Sequence, residues 1–171
     1  MKKIFVLVVV VLVSTIIYAQ VTPQEKRAAF LTPPYYTNWI GADFLTISTI
    51  EAEFEVTPAQ IKGLTFFYDF GDCFVGMEAN EKGVVVQLAI RLFGAHATSF
   101  IQEAIDYGYE YIEQGENINV RSNTKELLPD VYKSNVKVYR KVTEYGNVYL
   151  EVANSSKNAN EYEMVIYRTM E

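Results

Sequence analysis

The stretch "VVVQLAIRLF", Val84–Phe93, decides the fold. Val84, Val86, Leu88, Ile90 and Leu92 recur at every second position, with Gln87 and Arg91 between them, which is the alternation of a strand with one face in a core. Directly after it the period changes. From Ala97 to Tyr107, the residues Phe100, Ile101, Ala104 and Ile105 fall on one helical stripe, Ser99 and Gln102 can form a capping pair, and Gly108 stands where a helix stops.

Reading back from Val84, Asn80-Glu81-Lys82-Gly83 is a turn, Cys73–Ala79 a strand, Gly71-Asp72 a hairpin turn and Leu64–Phe70 a strand rich in aromatics. Thr57-Pro58 breaks the chain. From Leu45 to Val56 the spacing predicts another strand, because Ile50, Ala52, Phe54 and Val56 alternate with Thr49, Glu51, Glu53 and Glu55. Further upstream, Thr22-Pro23-Gln24-Glu25 has the form of a capping box and starts a short helix that Pro33 and Pro34 end. Tyr35, Tyr36 and Trp39 then form an aromatic connector.

Reading forward from Gly108, Tyr109–Gln114 and Ile118–Arg121 look like strands, and Asn123–Lys133 is a loop with a helical turn near Lys125–Leu128. Three antiparallel strands follow at Val136–Thr143, Val148–Ala153 and Tyr162–Thr169. Tyr145-Gly146-Asn147 closes the first hairpin and Asn154–Asn160 is a polar tip.

The order is helix, strands, helix, strands, which predicts an α+β domain built on a mostly antiparallel sheet of about seven to eight strands with an N-terminal and a central helix. "GDCFVGMEAN" (Gly71–Asn80) and "GNVYLEVAN" (Gly146–Asn154) each follow a strand, carry a glycine turn and end in Ala-Asn, so the domain also reads as two helix-plus-sheet repeats. That plan resembles the two-repeat arrangement of secreted β-lactamase-inhibitor-like proteins, on the order of elements alone. An eight-stranded lipocalin-like barrel ranks second. "TNWIGADF" around Trp39 lacks the glycine that family shows two positions before its tryptophan, and the helix falls mid-chain.

The first residues carry a different signal. Lys2 and Lys3 precede an unbroken apolar run, Ile4 to Val13, and Ser14 to Ala19 turn smaller and more polar, which is the layout of a secretory leader. The run falls short of the roughly 20 apolar residues that cross a bilayer. Cleavage after Ala19 is expected, leaving a single globular domain over 20–171 with no membrane segment, exported to the periplasm or exterior of a bacterial cell. The only cysteine, Cys73, is far from the cut, so no lipid anchor and no internal disulfide are expected.

Fifteen basic and 21 acidic residues give a net charge of −6, and loss of Lys2 and Lys3 makes the balance more acidic. Nucleic acid is therefore an unlikely partner. His96 with Ser99 lacks an orienting carboxylate, one histidine and one cysteine do not make a zinc site, and Cys73 in a strand reads as a buried thiol. No cofactor is implied. "DFGD" (Asp69–Asp72) has none of the companion motifs of a kinase, and Glu51, Glu53 and Glu55 read as the solvated side of a strand. Tyrosine is the informative side chain. With Val136, Val138, Val148, Leu150, Val152, Met164 and Ile166 turned inward, Tyr139, Tyr149 and Tyr167 would form a row on the other face, and Tyr35, Tyr36 and Trp39 an aromatic rim. These six residues are the binding candidates for a protein or an envelope polymer. The resulting reading is a non-enzymatic exported binding module, with a small hydrolase or lipocalin-like ligand carrier as the alternative.

Overall fold

The computed structural model describes residues 21–93, 95–115, 136–154 and 161–168. The expected leader, the strand expected at Ile118–Arg121, the Asn123–Lys133 segment and the residues 155–160 of the expected polar tip lie outside them. Three helices come first: α1 (Pro23–Leu31), α2 (Pro33–Trp39) and α3 (Phe44–Glu53). Four strands follow, β1 (Gln60–Lys62), β2 (Thr65–Asp69), β3 (Cys73–Ala79) and β4 (Val85–Phe93), then α4 (Ala95–Asp106), then β5 (Glu110–Gly115), β6 (Val136–Thr143), β7 (Gly146–Asn154) and β8 (Glu161–Arg168).

The sequence dictates most of this locally. Thr22 accepts from Glu25 N while the Glu25 carboxylate accepts from Thr22 N, closing the capping box of α1. Pro33 and Pro34 do more than end that helix. They occupy the first turn of α2, where a missing N–H costs nothing, so the expected aromatic connector is itself helical.

The expected strand at Leu45–Val56 is instead α3. Asp43 caps it by accepting from Thr46 N at 2.9 Å, and Ile47, Ile50 and Phe54 face the core. Ile50 and Phe54 are four residues apart, a spacing that satisfies both a strand and a helix period. The helix ends without glycine. Glu55 takes a positive φ of 51°, Val56 N donates to Glu51 O at 2.8 Å and Glu55 N to Ala52 O, a Schellman closure that the sequence disguises.

All eight strands join one antiparallel sheet in the order β1-β2-β3-β4-β8-β7-β6-β5. Each half is a four-strand meander preceded by helix, and β4 pairing with β8 joins the halves. β3 and β7, which hold the two similar segments, take the third place in their respective meanders. β1 and β5 end the order without pairing to each other, so the described strands do not close a barrel.

The register puts one apolar row across the whole sheet, running Ile61, Phe66, Met77, Leu88, Ile166, Leu150, Tyr139, Tyr111. On this side lies the core, where Phe30, Tyr36, Trp39, Ile47, Phe100 and Ala104 of the helices pack against Tyr68, Val75, Met77, Leu88, Ile90 and Leu150. The neighbouring row is polar from end to end: Lys62, Thr65, Glu78, Gln87, Tyr167, Tyr149, Arg140, Glu110. One irregularity breaks the alternation of β4, because the ladder shifts at Glu78/Ala79 and Val85, not Val86, joins the core.

The β6–β7 hairpin corrects the expected tyrosine row. Its loop is two residues, Glu144-Tyr145, with Thr143 opposite Gly146. Neither loop residue has a positive φ and Gly146 does, at 110°, which fits a type I turn followed by a left-handed glycine. The expected Tyr145-Gly146-Asn147 turn would have paired Glu144 with Val148, an odd offset from the observed register, and an odd offset turns every side chain over. Tyr139 therefore lies opposite Leu150 in the core, whereas Val136 and Val138 are on the other face.

Candidate functional site

Among the six tyrosine and tryptophan candidates, Tyr149 and Tyr167 are direct register partners on β7 and β8. Tyr139 does not join them. It is buried at the edge of Tyr111, with ring centroids 5.8 Å apart, and burial raises the pKa of its hydroxyl. Tyr36 and Trp39, at 0 and 1 % exposure, are core residues. Trp39 Nε1 donates to Ala29 O at 2.6 Å and its ring stacks on Phe30, while Tyr36 stacks on Phe100. Only Tyr35 of the expected rim reaches the surface, packed edge-on against Phe54.

The polar candidates are also dispersed. His96 is exposed, with Nε2 3.8 Å from an Asp72 carboxylate that already accepts from Arg27. Ser99 is exposed on the fifth residue of α4, away from any cap, because the helix starts at Ala95. Cys73 is buried, and burial pushes its thiol up, far from a thiolate. Glu51 accepts from the Tyr68 hydroxyl at 2.7 Å, and Glu53 and Glu55 are exposed at the end of α3 and just past it, not along a strand. No cluster of three metal-ligating side chains occurs among the described residues, and none of their helices is long and apolar enough to cross a membrane.

A cleft of about 650 Å³ brings together residues that the sequence keeps far apart. One wall is the end of α2, the connector Ile40-Gly41-Ala42 and Thr46 of α3; the other is the β6–β7 hairpin from Lys141 to Tyr145; Tyr107, just past α4, lies between. Both walls are held by the backbone. Gly41 N donates to Val85 O and Val85 N to Ala42 O, each at 2.8 Å, so the connector is sewn to the start of β4. On the hairpin, Thr143 Oγ1 donates to Gly146 O at 2.6 Å and accepts from Tyr145 N.

The side chains give the cleft a mixed character. Asn38 and Tyr145 are exposed, Val142 and Tyr145 stand at the hairpin tip at 70 and 71 % exposure, and Tyr107 is half-buried. Lys141 Nζ donates to Tyr107 O at 2.7 Å and sits 4.3 Å above the centre of the Tyr107 ring. A hydrogen bond from Tyr145 to the Glu144 carboxylate raises the pKa of the phenol. Among the described residues, Glu144 is the one carboxylate in the lining, and no histidine lines it. Sequence reasoning found none of these residues except Tyr145, which it took for part of a turn. Hairpin loops on rigid scaffolds are where binding groups concentrate, and that was the available signal.

No family model, curated protein or solved structure matches the chain.

Proposed function

We propose that the chain is an exported, non-enzymatic binding module of a bacterial cell envelope or exterior, and that its cleft holds a short stretch of a saccharide polymer. The observation that carries the reading is the cleft itself. Its volume of about 650 Å³ suits a ligand of a few rings, within the roughly 300–1,000 Å³ of small-ligand sites. The flanking Tyr107 and Tyr145 rings offer amphipathic surfaces, and Asn38, Thr46 and Thr143 supply hydroxyl and amide groups of the kind that meet sugar hydroxyls. Among the described residues the lining holds a single carboxylate and so no acid–base pair for glycoside cleavage, which favours binding over hydrolysis. The leader-like first residues support the exported setting, and the acidic net charge argues against phosphate-rich polymers.

The test is an NMR titration of the purified protein with a neutral trisaccharide. Amide shifts confined to Asn38, Tyr107 and the Lys141–Tyr145 hairpin, weakened at least fivefold by Tyr145→Ala, are expected. Shifts located elsewhere, or none at millimolar sugar, would overturn the assignment of the cleft.

A further inference from the structure

We propose that Lys141 makes this cleft selective for a saccharide that carries a carboxylate, an inference that rests on the saccharide reading above. An ammonium has three donors. One is committed to Tyr107 O, and the ring of the same tyrosine supports the charge from one side. The ion pairs Lys26–Glu55, Arg27–Asp72 and His96–Asp72 join other residues and leave Lys141 out. The carboxylate in the same lining, Glu144, is engaged by the Tyr145 hydroxyl.

The position of the ammonium is fixed by the fold. The two-residue loop sets the register that turns Lys141, like Tyr139, toward the helix-bearing side of the sheet. There the backbone at Gly108 approaches so closely that a Cβ at that position would lie 3.1 Å from Nζ. A half-buried cation with one of its three donors committed among the described residues, on the wall of a hydroxyl-lined cleft, meets an anion at short range. The chain as a whole is acidic, so this attraction is local. A polyanion would be repelled by the rest of the surface, whereas a single carboxylate on an otherwise neutral sugar would not.

A neutral trisaccharide that ends in one glucuronic acid and the methyl ester of the same trisaccharide separate the two readings, because they share a shape and differ by one charge. The native protein should bind the acid about tenfold more tightly than the ester, with the preference shrinking as salt rises. In Lys141→Met the two should bind alike, and Lys141→Arg should keep the preference, which guards against a variant that merely fails to fold. Equal binding of acid and ester by the native protein overturns the proposal and leaves the saccharide reading standing. A preference that survives Lys141→Met overturns it as well. Failure of both probes to bind removes the proposal together with the reading beneath it.

Discussion

The hydroxyls of Thr37 and Tyr109, 72 positions apart in the chain, meet at 2.8 Å in the buried layer between α2 and the start of β5. This contact ties the first helical unit to the second meander, and burial raises the Tyr109 phenol well above its ordinary pKa. Tyr109→Phe leaves the Thr37 hydroxyl buried without its partner and should cost about 1–2 kcal/mol. Urea unfolding reads the loss. Adding Thr37→Val should cost much less again, since the two groups form one unit.

What the sequence made legible, and what it hid, follows from how local the causes are. The β4 alternation, the α4 stripe, the Asn80 and Gly71 turns and the α1 capping box each depend on a few neighbouring residues, and each appears close to where the pattern put it. α3 was hidden because Ile50 and Phe54 fit two periods and because Glu55 stands where glycine would have announced the end of a helix. The face of β6 was hidden because one residue of loop length decides it. The cleft was out of reach for a different reason. Thr37, Tyr107 and Tyr145 become neighbours only through the sheet order, which no short window of sequence contains.

Glu55 offers a route to greater stability. Its φ of 51° costs a side-chain-bearing residue about 1–2 kcal/mol. Its 3.9 Å pairing with Lys26 is exposed and returns little. Lys26 also donates to the Glu55 backbone carbonyl at 3.0 Å, a bond that a substitution would keep. Glu55→Gly should therefore raise stability by about 0.5–1 kcal/mol after the flexibility of glycine in the unfolded chain is counted. A lower midpoint in thermal unfolding would count against the Schellman assignment.

Gly83 has two separable reasons to be glycine. Its φ is 76°, and an added Cβ would lie 2.7 Å from the Phe44 ring. Gly83→Ala should cost about 2 kcal/mol, combining backbone strain with the displacement of that ring. In a Phe44→Ala background only the strain remains, and the same change should cost about 1 kcal/mol. A double-mutant cycle in denaturant measures the difference.

Asp72 should shape the acid limb of stability. Its hydrogen bond from Arg27 holds the carboxyl below its ordinary value of 3.8. A carboxyl lowered in the folded state stabilises the fold in full above that ordinary value, and the contribution fades as pH falls toward the lowered one. Asp72→Asn should weaken the native protein at neutral pH and match it in strong acid. Parallel curves of stability against pH for the two proteins would contradict the Arg27 contact.

The place of β8 has a consequence for how the chain is made. The strand translated last among the eight is inserted between β4 and β7, in the middle of the finished sheet. Until it emerges, each meander keeps one raw flank with unmet amides, the kind of flank that recruits other chains. Completion of the sheet thus waits for β8, and a polypeptide shortened before Glu161 would keep β4 and β7 as open flanks prone to aggregate.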